Sequence, residues 1–413
     1  MNNASQLRRN VILNTAGNLV FFASQYLLII LVMRLSGAYA NGLLSTAMNL
    51  ANPILSFACY GMRSFQVSDF TPQYSDRTYL HSRYVTVLAA GLGCCGFAMA
   101  VSYTAEQRIV ILLYTLCRLS EGLVDVWHGY LQKAERMDLV GISFGVRGLA
   151  SIVSFAAGLA LTQNLVFTLA VMCLLNWLYV FAVDIPFGRK NADFAFVGGG
   201  TVAALLLECL PLAVYSFLNS SVGSVVKHFC ERLCGTEAFG NFNSIFAPVQ
   251  ILQVGAAYIF VPFITLFAHW WADCEGNKFM RGLLIIFAAL GVLWLCGSVG
   301  AALLGPWAFS LLYGQKILPY MTLLQPLVAA TIITTLVLIL CHLLTVAREM
   351  KGLILGNLAG IAASFVLAGP MIGAFGTTGA AWATVLSRLV QAALMLAFLL
   401  RRCRGQFAAN RAD

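Results

Sequence analysis

The stretch LLIIFAALGVLWLCGSVGAALL, Leu283 to Leu304, decides the fold. It carries no charge and has the length, about 20 residues, that a helix needs to cross the hydrocarbon core of a bilayer. It lacks the period-two alternation of a membrane β-barrel strand, so its backbone must satisfy its own hydrogen bonds as a helix. Comparable stretches follow almost without a break from Asn10 to Arg401. Composition agrees, at 60% hydrophobic and 10% charged residues with a mean hydropathy of +0.84. A soluble chain of 413 residues could not hide that much apolar surface. The chain reads as an all-α, polytopic membrane protein.

Twelve spans are predicted, at roughly 11–34, 41–61, 84–103, 108–131, 142–162, 165–185, 201–226, 240–267, 282–304, 321–346, 352–372 and 376–400. The first apolar run continues as a full span with no small-residue cleavage site after it, so no cleavable signal peptide is expected. With both termini placed in the cytoplasm, the inner loops and tails collect Arg8, Arg9, Arg63, Arg77, Arg83, Lys133, Arg136, Arg189, Lys190, Lys278, Arg281, Arg348, Lys351, Arg401, Arg402, Arg404 and Arg411. Firmly outer positions hold only Arg108, Arg232 and Lys316, which is the positive-inside bias. The net charge of +9 then reflects topology and contact with anionic lipid, not nucleic-acid binding. Twelve cysteines are scattered through the spans as small hydrophobes. Cys230 and Cys234 share the longest outer loop, about 227–239, and are the candidate disulfide. No spacing reads as a metal site, and no phosphate-binding loop, nucleotide fold or catalytic dyad is present in the sequence. Neither a cofactor nor an enzymatic activity is expected.

The inner connection Pro186–Gly200, with Arg189, Lys190, Asp193 and a Gly198–Gly200 run, divides the chain into residues 1–190 and 191–413, six spans each. The halves echo one another. Spans two and eight both open on a Gly- and Asn-bearing turn and carry a mid-span proline, Pro53 and Pro248. Matching interruptions in two halves point to a transporter built from repeats around a midplane site.

Helical spacing gathers polar residues on single faces. Span one aligns Asn14, Asn18 and Gln25; span two aligns Asn41, Ser45, Asn49, Asn52 and Ser56. In span four, Arg118, Glu121, Asp125, His128, Gln132 and Arg136 lie within roughly 80° of one another. Span five adds Ser143, Arg147, Ser151 and Ser154, span seven Glu208, Tyr215 and Asn219, and span twelve Thr384, Ser387, Arg388 and Gln391. Interhelical hydrogen bonding accounts for Ser, Thr and Asn in a bundle. Charges are different, because an Arg or Asp at bilayer depth costs about 2.5–3.5 kcal/mol even on the lenient insertion scale. Arg118 can pair with Glu121 or Asp125. Arg147 and Arg388 have no acid within one turn of their own helix and are expected to face a water-filled, cationic cavity. Glu121, Asp125 and Glu208 are the candidates for coupling to an ion gradient. His128 and His342 read as structural histidines sooner than proton relays.

The segment RLSEGLVDVWHGYLQKAERMD, Arg118 to Asp138, with Ser143 and Arg147-Gly148 after it, resembles the fourth and fifth spans of Wzx-type polysaccharide flippases. These belong to the multidrug/oligosaccharidyl-lipid/polysaccharide exporter superfamily. The stretches Gly42–Ser45, Gly61–Asp69, Tyr313–Pro319 and Gly376–Ala383 are similar to the same family, so the likeness runs over essentially the whole chain. It implies two six-helix bundles around a central cavity, alternating between inward- and outward-facing states in the bacterial plasma membrane. It implies as cargo a polyprenyl-pyrophosphate-linked oligosaccharide for capsule, exopolysaccharide or O-antigen synthesis, with the polymerase and chain-length machinery as candidate partners. On that reading Arg118, Arg147 and Arg388 grip the diphosphate, while Asn18, Gln25, Asn49, Asn52 and Asn219 accept sugar hydroxyls. The nearest rival is a drug/cation antiporter of the same superfamily, which would favour an acidic cavity. A membrane polymerase would need a catalytic constellation on a substantial outer loop, and a non-transporting scaffold would leave the buried charges without a purpose.

Overall fold

The computed structural model describes residues 3–69, 73–194 and 200–409. Gly198, Gly199 and Arg411 lie outside them. Helices α1 (Asn3–Leu35), α2 (Gly37–Cys59), α3 (Met62–Ser68), α4 (Asp76–Ala100), α5 (Ala105–Lys133) and α6 (Met137–Thr162) come first. They are followed by α7 (Leu165–Tyr179), which passes through one π-helical turn, Val180–Asp184, into the short α8 (Ile185–Lys190). Then come α9 (Val202–Cys234), α10 (Thr236–Ala272), α11 (Gly276–Tyr313), a 3₁₀ stretch Gln315–Leu323, α12 (Leu324–Val346) and α13 (Met350–Ala409). Among the described residues there is no strand.

Helix α13 holds the last two predicted spans, kinked at Gly376, whose φ of 57° and ψ of −136° suit glycine and little else. With that kink, and with α7 and α8 taken as one stretch, the twelve predicted spans each have their helix. Local signals set the ends. Thr104 and Gln107 form a reciprocal capping box at the start of α5, and Ser75 and Asn164 cap α4 and α7. Gly235, at φ 87°, turns α9 directly into α10. The predicted outer loop over 227–239 is therefore helical on both sides of that glycine. Cys230 and Cys234 lie in the last turn of α9 as free thiols. Lys227, His228, Glu231 and Arg232 end the apolar run, yet the helix continues through them to Cys234, because a polar stretch ends a membrane-length segment without ending a helix.

Two compact units emerge, Met1–Ser220 and Ser221–Asp413. In the first, Leu28, Leu43, Leu44, Ile111, Phe155 and Leu169 are among the residues packed into one core. Helices α1 and α6 approach backbone to backbone: a Cβ at Gly141 would collide with the Leu13 carbonyl, and one at Gly17 with that of Gly141. At one end, Asn10 donates to the Glu135 carbonyl at 2.6 Å, and Asp138 pairs with Arg136 at 3.0 Å and Arg9 at 3.3 Å, tying α1 to the α5–α6 turn. In the second unit α12 is the most enclosed element, with Leu327, Leu340, Leu343 and Leu344 fully buried. Leucine, valine and phenylalanine populate the exposed faces of both units, as at Leu161, Leu207, Leu303 and Val366. In water this would be untenable; in hydrocarbon it is what a spanning helix needs.

Candidate functional site

Residues of the polar faces predicted on spans one, four and five meet inside the first unit, and α5 is their spine. Near its start, Tyr114 donates to Gln25 Oε1 of α1 at 3.2 Å. One turn on, Arg118 Nη1 reaches both oxygens of Glu121, at 2.6 and 2.7 Å. Asp125 does not share that pair. It accepts from Arg83 of α4 at 2.7 Å and lies 3.6 Å from Arg63 of α3, which also donates to Gln132 at 3.1 Å. Arg118, Glu121, Asp125 and Arg63 keep partly accessible side chains, whereas Arg83 is fully buried and also donates to the Ala58 carbonyl at 2.6 Å.

Arg83 and Arg63 correct the sequence expectation, which had them as loop cations. The apolar run of span three begins at Tyr84, so Arg83 stood just outside it, but α4 begins at Asp76 and carries Arg83 into the core. A buried guanidinium and a carboxylate on facing helices stabilise one another only because each also meets further donors or acceptors.

A second cluster lies deeper. Arg147 of α6, expected to face water, is 1% exposed. Its Nη2 donates to Ser120 Oγ of α5 at 2.7 Å. No acid lies within one turn of Arg147 on α6, but on the neighbouring span Asp184, at the end of the π-helical turn, lies within electrostatic reach of it. Ser143 Oγ donates to Asp184 Oδ1 at 2.6 Å, and His128 Nε2 stands 3.2 Å from Ser143 Oγ and 4.0 Å from Asp184. Asp184 Oδ2 and Arg147 Nε and Nη1 have no hydrogen-bond partner among the described residues. Each such atom costs about 1–3 kcal/mol, and π-helical turns recur where function tolerates that cost. Helical spacing lends Asp184 no prominence, since it closes an apolar span without a polar stripe of its own. His128 is buried between Ser143 and the Phe144 ring, a satisfied position.

The remaining first-unit candidates separate. Asn49 is buried on α2, while Asn52 is exposed. Asn18 folds back on Asn14, donating to its carbonyl at 2.8 Å. Glu208, in the second turn of α9, is exposed and accepts from Gln73 Nε2 at 3.5 Å. It also bonds Tyr74, whose phenol burial and Glu208 together push up to about 12. That places Glu208 beside the α3–α4 connection, at the end of its span. Asn219 is half-buried further along α9.

The second unit holds Arg388 in different company. Its Nη1 donates to Gln391 Oε1 at 2.8 Å, and Gln391 Nε2 donates to Asn357 Oδ1 at 3.0 Å, so a chain of amides runs from α13's second limb to its first. Gly223 of α9 leaves room for the guanidinium: a Cβ there would stand 3.1 Å from Arg388 Nη2. Lys227, one turn on, sits over the Phe246 ring at 4.4 Å, a cation–π contact, and feels the charge of Arg388. No carboxylate pairs with Lys227 or Arg388 among the described residues. From sequence Lys227 belongs to the expected outer loop; the structure places it inside α9. Among the described residues no His, Cys, Asp and Glu group could hold a metal ion.

No family model matches the chain. By sequence it is 23% identical, over 72% of its own length and 75% of the relative's, to the capsular polysaccharide biosynthesis protein CapF of Staphylococcus aureus. By structure it is similar to the MATE multidrug transporter DinF-BH, at a TM-score of 0.67 and 13% identity over 98% of this chain and 97% of that one. A transporter from Pyrococcus furiosus described as having a binding pocket of reversed polarity matches at TM-score 0.64 and 13% identity over 97% and 96%. An inward-facing MATE transporter matches at 0.63 and 11% identity over 97% and 95%. The chain therefore has the multi-helix membrane fold of transporters of the multidrug/oligosaccharidyl-lipid/polysaccharide (MOP) exporter superfamily.

Proposed function

We propose that the protein is a flippase that carries a polyprenyl-pyrophosphate-linked oligosaccharide across the bacterial plasma membrane for surface polysaccharide synthesis. The observation that carries this reading is that Arg388 and Lys227, two cations within electrostatic reach of one another, are held by an amide and an aromatic ring and form no ion pair with a carboxylate among the described residues. A cation left with neutral partners retains its field for an incoming anion, and a diphosphate is such an anion. The polysaccharide-biosynthesis relative points to the same class of cargo. Arg147 is the proposed cationic contribution of the first unit, Arg118 joins it only where Glu121 releases it, and Asn, Ser and Gln side chains suit sugar hydroxyls. Glu121, Asp125 and Glu208 are the proposed coupling groups, and both termini are proposed to lie in the cytoplasm.

The likeness to multidrug transporters supports a second reading, drug/cation antiport. Against it stands the pairing of Glu121 and Asp125 with arginines, which neutralises the negative charge a cationic drug would seek. Deletion of the gene separates the two. Flipping predicts complete lipid-linked oligosaccharide accumulating on the cytoplasmic leaflet with unchanged drug tolerance. Normal polysaccharide with raised drug sensitivity would establish the antiporter instead.

A further inference from the structure

At one end of the second unit, the turn after α12 and both limbs of α13 enclose a cavity of about 650 Å³ that neither the fold nor the proposed cargo explains. Four cations line it: Arg348 in the turn, Lys351 at the start of α13, and Arg401 and Arg402 where the second limb leaves its apolar run. Against them stands Glu349. No ion pair joins any of these five among the described residues.

The site is assembled by a close approach. A Cβ on Gly352 would stand 2.8 Å from Phe398 Cβ, so glycine brings the two limbs together and their basic ends with them. The amides of the first turn of α13 lie at the same place, and the positive end of a helix favours an anion. Arg348, at φ 53°, ends α12 in the left-handed region and turns the chain tightly into α13. Opposed like charges at this density repel one another unless an anion is shared between them.

The apolar surroundings say what kind of anion. Phe398 lies one turn from Arg402 and lines the cavity. On the first limb, Leu355 and Leu358 follow Lys351 along one helix face, both exposed at 45% and 44%. The cations thus sit at the edge of the apolar belt, with bare hydrocarbon-facing surface leading away from them into the membrane. A soluble anion needs the first feature only; a lipid needs both.

We propose that this cavity binds the phosphate-bearing headgroup of an anionic membrane phospholipid, with its acyl chains lying along Leu355 and Leu358. On the topology proposed above, the lipid belongs to the cytoplasmic leaflet. The site is distinct from Arg388 and Lys227, and its test does not depend on transport.

Full-length protein in mild detergent is titrated with phosphatidylglycerol or phosphatidylcholine, and retained lipid is read by native mass spectrometry. Wild type is expected to retain phosphatidylglycerol in preference to phosphatidylcholine. Lys351→Ala, Arg401→Ala and Arg402→Ala should each weaken that retention about fivefold. The double variant Arg401→Lys/Arg402→Lys, which keeps the charge, should retain most of it, distinguishing lost charge from lost structure. All four cations are solvent-facing, so folding is not at stake. Equal retention of the two lipids, or of phosphatidylglycerol by wild type and the alanine variants, overturns the proposal. Inorganic pyrophosphate, added with phosphatidylcholine as the sole lipid, is the third arm. If it binds through the same cations while phosphatidylglycerol does not, the cavity takes a soluble anion and the lipid assignment is wrong.

Discussion

Arg118, Arg83 and Arg147 in the first unit and Arg388 and Lys227 in the second are kept in opposite ways. In the first, arginine meets acid: Arg118 with Glu121, Arg83 and Arg63 with Asp125, Arg147 near Asp184. In the second, Arg388 meets Gln391 and, beyond it, Asn357, while Lys227 meets the Phe246 ring. The difference is one of purpose. Paired charges in a low-dielectric interior hold helices in register and leave little field outside. Cations with neutral partners are stabilised enough to stay, and their field remains available to a ligand. On the proposed function, structure is asked of the first set and recognition of the second.

The largest expected effect falls on the paired set. Arg83→Ala removes a fully buried partner of Asp125 and should destabilise the protein by about 3 kcal/mol or more. Membrane-inserted protein level and thermal stability in detergent measure it; a variant of normal stability would break the contrast at its first term. Arg388→Ala should do the reverse, leaving level and stability near normal while export falls about ten- to a hundredfold, the worth of a charge-assisted contact to the cargo. Arg388→Lys should recover part of that, because it keeps charge and loses the planar fork. Degradation of Arg388→Ala would instead assign Arg388 to structure, like Arg83.

Arg147 sharpens the comparison, since it has features of both sets. Asp184→Asn removes the acid near it without changing shape. If Arg147 is held structurally, Asp184→Asn and Arg147→Ala should lower stability together and less than additively in the double variant. Independent effects would free Arg147 for the cargo. Coupling should register more weakly. Glu121→Gln, Asp125→Asn and Glu208→Gln are expected to reduce the pH or sodium dependence of export, and unchanged dependence in all three would leave these acids as structural partners. The smallest cost in stability is expected at Glu208→Gln, below about 1 kcal/mol, because the group is exposed and its partners are neutral.

Hydropathy made the fold legible, because in a bilayer length and apolarity dictate a helix. Leu283–Leu304 lies inside α11, and Gly376 marks the kink between the last two spans. The polar face of α5 was legible too, since helical periodicity survives tertiary packing. What stayed hidden lay at the margins of the apolar runs. Arg83 stands one residue before Tyr84, yet helix α4 extends beyond the membrane-length segment and buries it. Lys227 reads as a loop residue because it follows the apolar run of its span, and Asp184 draws no notice because it sits in a π-helical turn, where the regular helical spacing no longer holds. Partners from other helices were invisible for a plainer reason: pairing across helices leaves no trace in the spacing along one. Arg147 illustrates it, having no acid within one turn of its own helix and one on the next.

Reporter fusions after Arg189 and after Arg404 check the orientation underlying the proposed direction of transport, and both should report cytoplasm. The central claim is tested most directly by measuring, in cells whose only copy is Arg388→Ala, the leaflet distribution of lipid-linked oligosaccharide together with the amount of inserted protein. The expected result is normal protein with complete oligosaccharide-lipid accumulated on the cytoplasmic leaflet and surface polysaccharide lost. Normal protein with an unaltered leaflet distribution and normal surface polysaccharide would contradict it.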